Sequence, residues 1–400
     1  MVSVEEAKHI LSQSFKKIVL KIKKTNLLDA YSYILAENIK SLYPSPPFNQ
    51  SAMDGYAISS KDMAQNIKIK LSGENAAGKA KIKSLKKGVC IRIFTGAKLP
   101  TGADIVIPQE FVKIDSDGNL QFDKTLFKKG DNVRLKGSQF KKGEILLQKK
   151  LKLTPASLTT IAMAGHTKVK VYDKPDINIV ITGDELIKNS RSLSGDKIIE
   201  TNSIMLLSTL KSLNQNYQQI YYTKDNLKSV IHTLQKATLK ADVILISGGI
   251  SVGKYDFVFP ALQQLKAKTL FNKVKQKPGK PLYFGVLNKS FVFGLPGNPA
   301  AALTCFYEYV LPVLKHLEAE DTTFLPSKNY PLIGDFRKEK GLANFLKAKI
   351  TNEGVRILPG QESFKMMAFN DANCLVYLPE ENTGVKNGEN VECHILPQHD

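Results

Sequence analysis

The residues best suited to chemistry stand where three short apolar runs end. INIVI leads into Thr182-Gly183-Asp184-Glu185-Leu186, DVILI into Ser247-Gly248-Gly249-Ile250-Ser251-Val252-Gly253, and FVFGL into Pro296-Gly297-Asn298-Pro299. If these runs are strands of one open parallel sheet, the turns lie at its carboxyl edge, where such sheets bind ligands. Glycines there let backbone N–H groups close on a phosphate, helped by helix N-termini. Asn298 suits an N-cap and Pro299 the first helical position, so the following helix would aim its positive end at the same crevice. A lone glycine turn more often only ends a strand, whereas three in one sheet point to an anion site. None is a Walker A or a complete G-x-G-x-x-G, so neither a P-loop ATPase nor a dinucleotide dehydrogenase is supported.

Charges decorate the same turns. Lys277 and Lys280 flank Pro278-Gly279 in QKPGKP, where a tight turn would hold both near one point to bind an oxyanion. Asp184, Glu185 and Asp256 stand beside the glycine turns. A hard cation such as Mg²⁺ is usually held by one or two carboxylates plus substrate phosphate, so this combination suggests metal-assisted phosphate chemistry. Each acid alone is better explained as a solvated loop residue or a cap. The six histidines are scattered without metal-ligand spacing.

Several elements must position these residues. Ser3 and Glu6 form a capping box ahead of Ala7, Ile10, Leu11, Phe15 and Ile18 at helical spacing. A second helix is expected over about 28–41. Short β-like runs between turns follow to Gly143, and 154–165 again reads as helix. From Pro175 to about Leu317, strands alternate with helices at 203–213 and 226–239, which implies a mostly parallel sheet covered on both faces. The remainder returns to short strands with turns at Asn352-Glu353-Gly354 and Lys386-Asn387-Gly388. The fold class is therefore multi-domain α/β and β. The expected parts are a discontinuous N-terminal helical domain (1–47 and 144–174), an inserted β-rich domain (48–143), a central α/β domain (175–320) and a small C-terminal β domain (321–400).

Composition limits the function class. Four hundred residues with 42% hydrophobic and 24% charged residues suit a multi-domain globular chain. No apolar run reaches membrane-spanning length, and MVSVEEAKHI lacks the basic then apolar pattern of a signal peptide. A cytoplasmic location without a membrane partner is expected. The four cysteines lie far apart with no C-x-x-C, against a zinc knuckle or disulfide scaffold. The net charge of +20 invites nucleic acid, but only five of the 57 basic residues are arginine, and the lysines are spread along the chain. Arginine is the usual residue for forked phosphate and base recognition, so a solvated lysine-rich surface that attracts a small polyanion is the better reading.

Most informative of all is PPFNQSAMDGYA, Pro46 to Ala57, a rigid turn-rich string that core packing does not require. It resembles the signature of the molybdopterin molybdenumtransferases, the MoeA/gephyrin E-domain family. GENAAGK, RIFTGAKLPTGAD, GDNVRLKGSQFKKGE, TGDEL, SGGISVGKYD, KPGKP, LPGNPAAAL and GQESFKMMAFNDANCL follow in the family's order over nearly the whole chain. The resemblance implies an elongated four-domain homodimer, with each active site between the α/β domain of one subunit and the β-rich insertion of the other. It implies cleavage of the phosphoanhydride of adenylylated molybdopterin, with a divalent cation such as Mg²⁺, and insertion of molybdenum from molybdate at the dithiolene.

Carried onto this chain, the resemblance gives Ser247, Gly248, Gly249, Ser251, Gly253, Pro296, Gly297 and Asn298 to the pterin phosphate or oxyanion. It gives Lys277 and Lys280 to molybdate or phosphate oxygens, and Asp184, Glu185 and Asp256 to the metal or a water. Asp54 and Thr95 would reach in from the inserted domain. Handover from another molybdenum-cofactor biosynthesis protein fits the same picture. The chain departs from the family pattern at Asn49, Ser138-Gln139, Thr223, Lys254 and Ala301, each swap removing an acid or a hydroxyl. A catalytically weakened pterin-binding scaffold is therefore one rival. A basic RNA-binding protein and a nucleotide pyrophosphatase sharing only the α/β domain are the others.

Overall fold

A computed structural model describes residues 1–15, 18–79, 83–187, 194–250, 256–321 and 323–397. Ser251, Gly253 and Lys254 lie outside the described residues. The chain divides into two compact units, Lys23–Val171 and the combination of Met1–Ile22 with Tyr172–Asp400. The stretch expected as 1–47 thus divides at Ile22, and the N-terminal helix packs with the later part of the chain.

In the unit Lys23–Val171, a four-stranded sheet runs in the order Lys70–Asn75, Val89–Ile93, Gly55–Ile58, Ile105–Pro108. Alternation along these strands buries both faces. Ile58, Cys90, Ile105 and Ile107 fill one side, while Ala57, Ile93 and Val106 fill the other. The helix expected at 154–165 spans Pro155–Met163, started by a reciprocal Thr154–Ser157 capping box.

The helix expected over 28–41 is absent. A 3-10 turn at Leu28–Ala30 is followed by irregular chain and a two-residue strand, Ile39–Lys40. Ala30, Ile34, Leu35 and Ile39 are buried at nearly helical spacing, which explains the misreading. Their neighbourhood instead bonds across the chain: Ser32 N–H to Leu153 O at 2.9 Å, Leu35 N–H to Leu151 O at 2.9 Å and Ala36 N–H to Lys170 O at 2.9 Å. Tertiary pairing has overridden local periodicity here.

The other unit begins with α1, Val4–Phe15, whose capping box forms as read: Ser3 N–H donates to Glu6 Oε2 at 2.8 Å and Glu6 N–H to Ser3 Oγ at 3.0 Å. Its central sheet contains β1 (Ile177–Thr182), β2 (Gln219–Thr223), β3 (Val243–Ser247), β4 (Lys268–Asn272), β5 (Tyr283–Leu287) and β6 (Ser290–Leu295) in spatial order β2-β1-β3-β6-β5-β4. The first four strands in that order are parallel, and β5 and β4 are antiparallel. The helices are α2 (Asn202–Ser212), α3 (Leu227–Ala237), α4 (Val258–Gln264) and α5 (Pro299–Cys305). A π turn, Phe306–Val310, joins α5 to α6 (Leu311–Leu317).

Both faces of β1 are covered, with Ile177, Ile179 and Ile181 in one core and Val180 in another beside Val230 and Leu234 of α3. From β1 the chain passes through α2 to β2 on one side, then through α3 back to β3 on the other. The direction of strand addition therefore reverses between β1 and β3, and such a switch point opens a crevice at the carboxyl ends. Residues 323–397 add an antiparallel sheet of Ala343–Thr351, Cys374–Leu378, Asn390–Ile395 and Ser327–Pro331, with Gln276–Lys277 pairing parallel to its edge at Ala343–Thr351.

One buried acid joins three elements of this unit. Glu308, in the π turn, is 2% exposed; its carboxylate meets Lys8 Nζ of α1 at 2.8 Å and His394 Nδ1 at 2.7 Å. Burial alone would raise this carboxyl, but Lys8 and His394 outweigh it and hold it below its ordinary 4.5. Lys8→Met should cost roughly 3 kcal/mol of stability at neutral pH, because it leaves a buried carboxylate short of a partner. A carboxyl lowered on folding stabilises above its unfolded value and loses that contribution as pH falls through its folded value. The gap between Lys8→Met and the native chain in urea denaturation should accordingly narrow below about pH 4.

Candidate active site

The three glycine turns meet at the switch point. Ile181 pairs with Ser247 and Ser247 with Leu295, so the ends of β1, β3 and β6 stand side by side in register. Gly248 has φ +95°, and a Cβ there would collide with the Thr182 carbonyl oxygen, so only glycine lets the second turn lie this close to the first. Gly249 accepts the Val258 N–H of α4 at 3.2 Å, which draws the first turn of that helix, two residues after half-buried Asp256, to the same turn.

Asn202, at the start of α2, ties the other two turns together. Its Nδ2 donates to Ser247 Oγ at 2.7 Å and to Gly297 O at 2.7 Å, while its Oδ1 is buried without a partner. Buried Glu200 accepts the N–H of Ser203 at 2.8 Å and its hydroxyl, which fixes the first turn of α2. Asn298 does occupy the N-cap position of α5, with Pro299 following, but its side chain does not cap the helix. Its Nδ2 donates to Ser363 Oγ at 2.9 Å instead, and Ser363 O accepts the Ala301 N–H at 3.2 Å. The GQESF segment is thereby fastened to the LPGNP turn. Behind it, buried Lys347 donates to Gly360 O at 2.6 Å and Lys365 O at 3.0 Å, and desolvation lowers its pKa below the ordinary range.

Asp184 pairs with Asp225, the acid just after the place where the family pattern expects one. The Asp184 N–H donates to Asp225 Oδ2 at 3.1 Å, and the Asp225 N–H to Asp184 Oδ1 at 3.2 Å. Asp225 also accepts the Thr182 hydroxyl. Asp184 also lines a cavity of about 340 Å³ with Glu200, Tyr222 and Thr223, where Thr223 Oγ1 is buried without a partner. Glu185 is exposed beside Asp184. Among the described residues no three metal-capable side chains cluster, so Asp184, Glu185 and Asp256 do not form a closed cage.

Exposed Lys277 and Lys280 lie on a turn pressed against α5: a Cβ at Gly279, with φ +90°, would collide with Cys305 Sγ and lie 3.7 Å from Ala301 O. The turn bearing Lys277 and Lys280 and the helix that follows LPGNP are therefore neighbours. In the unit Lys23–Val171, Asp54 Oδ1 accepts the Thr95 N–H and hydroxyl, both at 2.8 Å. The backbone bond first, then the hydroxyl, with Arg92 nearby, hold Asp54 below its ordinary carboxyl range. Two of the acids missing from the family pattern have structural successors. Asn49 Oδ1 accepts the Lys136 N–H at 2.8 Å, and Gln139 Oε1 accepts the Ser45 hydroxyl at 2.9 Å.

Comparison with known proteins identifies the family. Family models described as MoeA N-terminal region (domain I and II), probable molybdopterin binding domain, and MoeA C-terminal region (domain IV) match residues 2–165, 178–316 and 330–396. A molybdopterin molybdenumtransferase of Staphylococcus epidermidis is 32% identical, covering 98% of this chain and 94% of its own. One of Haemophilus influenzae is 34% identical, covering 92% of each chain. A crystal structure of a molybdopterin biosynthesis MoeA protein from Pyrococcus horikoshii superposes with a TM-score of 0.85 at 28% identity, covering 99% of both chains.

Two substitutions test the positioning bonds. Asn202→Ala should lower stability by about 1–2 kcal/mol. It should also speed amide hydrogen exchange at Gly248 and Gly297, read by NMR or mass spectrometry. Thr95→Val removes one of the two donors to Asp54 and keeps the backbone N–H. The Asp54 carboxyl should then titrate higher, though still below its ordinary value, in a carboxyl ¹³C titration.

Proposed function

This chain belongs to the molybdopterin molybdenumtransferase family, and from that premise we propose the chemistry it performs: insertion of molybdenum from molybdate into adenylylated molybdopterin, with metal-dependent release of AMP. The observation that supports this reading most is the single cradle made when Asn202 joins the Ser247-Gly248-Gly249 and Pro296-Gly297-Asn298 turns across the switch point. A substrate with phosphates and a flat pterin needs such an edge, with backbone donors for the anion and a crevice for the ring.

In this reading Ser247, Gly248, Gly249, Gly297 and Asn298 hold the pterin phosphate, and Ser251 and Gly253 of the same SGGISVG motif share that role. Lys277 and Lys280 hold molybdate or phosphate oxygens, and Asp54 with Thr95 contributes a carboxylate kept ionised by its hydrogen bonds. The donor set fits a hard divalent cation: Asp184, Glu185 and Asp256 offer only oxygen ligands, and Asp184 is already oriented by Asp225. Lacking a closed cage, these residues would hold Mg²⁺ together with substrate phosphate. When bound, the cation would neutralise charge on the phosphoanhydride that is cleaved. The chain's own part is to fix the phosphates against backbone N–H groups, to orient the carboxylates that position water, and to hold the incoming oxyanion beside the pterin. A cytoplasmic homodimer that receives its substrate from another biosynthetic protein completes the proposal.

The test is incubation of the purified chain with adenylylated molybdopterin, Mg²⁺ and molybdate, followed by AMP release and reconstitution of an apo-molybdoenzyme. Molybdate-dependent AMP release with reconstitution is the expected result, and Asp184→Asn should reduce it by at least about 100-fold. Tight pterin binding with neither signal would remove the enzymatic reading and leave a scaffold.

A further inference from the structure

The turn that carries Lys277 and Lys280 is held from beneath by one buried side chain. Gln276 is fully buried, and its Nε2 donates to Pro278 O at 3.2 Å and Gly279 O at 3.3 Å. Its Oε1 accepts the hydroxyl of Tyr309. The two carbonyl acceptors fix which way the amide faces, and the Tyr309 hydroxyl, which can donate or accept, anchors the Oε1 end. Turned over, Oε1 would confront two carbonyl oxygens, and Nε2 would meet the tyrosine hydroxyl. Tyr309 is itself fully buried in the π turn, and burial raises its hydroxyl well above the ordinary value, so it stays protonated as a donor.

A buried amide is costly unless its hydrogen bonds are made, and an apolar side chain would fill the same space beside Cys305 at less risk. What the amide supplies is a pair of donors for the carbonyls of the turn. On its other side the turn is tied by the pairing of Gln276 with Ala343 and Lys277 with Asn344. Gly279 leaves no slack against Cys305. The backbone that bears the two lysines is therefore set by Gln276 and, through it, by Tyr309.

We infer that Gln276 and Tyr309 are positioning residues for oxyanion binding: they fix the turn that presents Lys277 and Lys280, and so set the affinity for molybdate. This rests on the reading that those lysines hold molybdate or phosphate oxygens. Neither Gln276 nor Tyr309 touches the substrate; both act through the turn.

The full-length chain carries the test. Gln276→Met keeps length and volume and removes both polar ends of the side chain; Tyr309→Phe removes only the hydroxyl. Gln276→Met is expected to raise the molybdate KM about tenfold while kcat and the KM for adenylylated molybdopterin stay within about twofold. Tyr309→Phe should raise it about threefold alone and add nothing in the Gln276→Met background, because the hydroxyl acts only through the amide. Equilibrium binding of molybdate to the pterin-nucleotide-loaded chain should show the same shifts independently of turnover. An unchanged molybdate affinity in Gln276→Met would overturn the inference. So would parallel losses of kcat, both KM values and thermal stability, which mark a merely structural residue. Lys277→Gln and Lys280→Gln separate the two levels. If they too leave molybdate affinity unchanged, the assignment of the lysines fails; if they weaken it while Gln276→Met does not, only the positioning role fails.

Discussion

The amide of Asn202 is the constraint on which the crevice depends. Two loops that leave neighbouring parallel strands have no reason to stay together, since their backbones point outward beyond the ladder. Asn202 gives each a donor at 2.7 Å from one buried group. Its own position is set by the first turn of α2, which Glu200 anchors through Ser203. A short polar string, Glu200 to Ser203, thus converts a switch point that any such sheet would have into a cradle of fixed width. The cost is a buried Oδ1 without a partner, a pattern that native structures tolerate mainly where function requires it.

The central sheet was legible because β1, β3 and β6 are buried on both faces and so read as unbroken apolar runs. Each of these three is followed by a glycine turn that core packing does not demand. The capping box at Ser3 was equally plain, because capping is a local affair of four residues. The segment 28–41 was misread for the opposite reason. Its backbone donors are satisfied by Leu151, Leu153 and Lys170, more than a hundred residues away, and no local pattern announces that. The same limit hid Asn202, Ser363 and Lys347. An asparagine after a strand-like pair, a serine in a loop and a lysine within an otherwise ordinary strand carry no spacing that marks them. Only the fold shows that they hold one turn to another. Asn298 was read correctly for its place and incorrectly for its bond, since a side chain at an N-cap can turn to a better partner.

The departures from the family pattern look different once their partners are known. Asn49 and Gln139 each accept a hydrogen bond that a carboxylate could also accept, so at these two positions the swap removes charge and keeps the local bond. At Thr223 the missing acid is matched by Asp225, which bonds both Thr182 and Asp184. Ala301 is buried against the Ser363 segment, where the contact is made by its backbone N–H and not by its side chain.

The division of the chain also bears on how it is made. The helix Val4–Phe15 buries Val4, Ala7 and Leu11 in a core shared with Phe306, Leu311 and Leu314, and Lys8 awaits Glu308. A ribosome delivers the helix first and its partners some three hundred residues later. At about 5–20 residues per second, that apolar stripe is without its native partners for some tens of seconds, while Lys23–Val171 can close on itself in the meantime. The order of synthesis therefore leaves the apolar stripe of the first helix without its native cover until the α/β unit is complete.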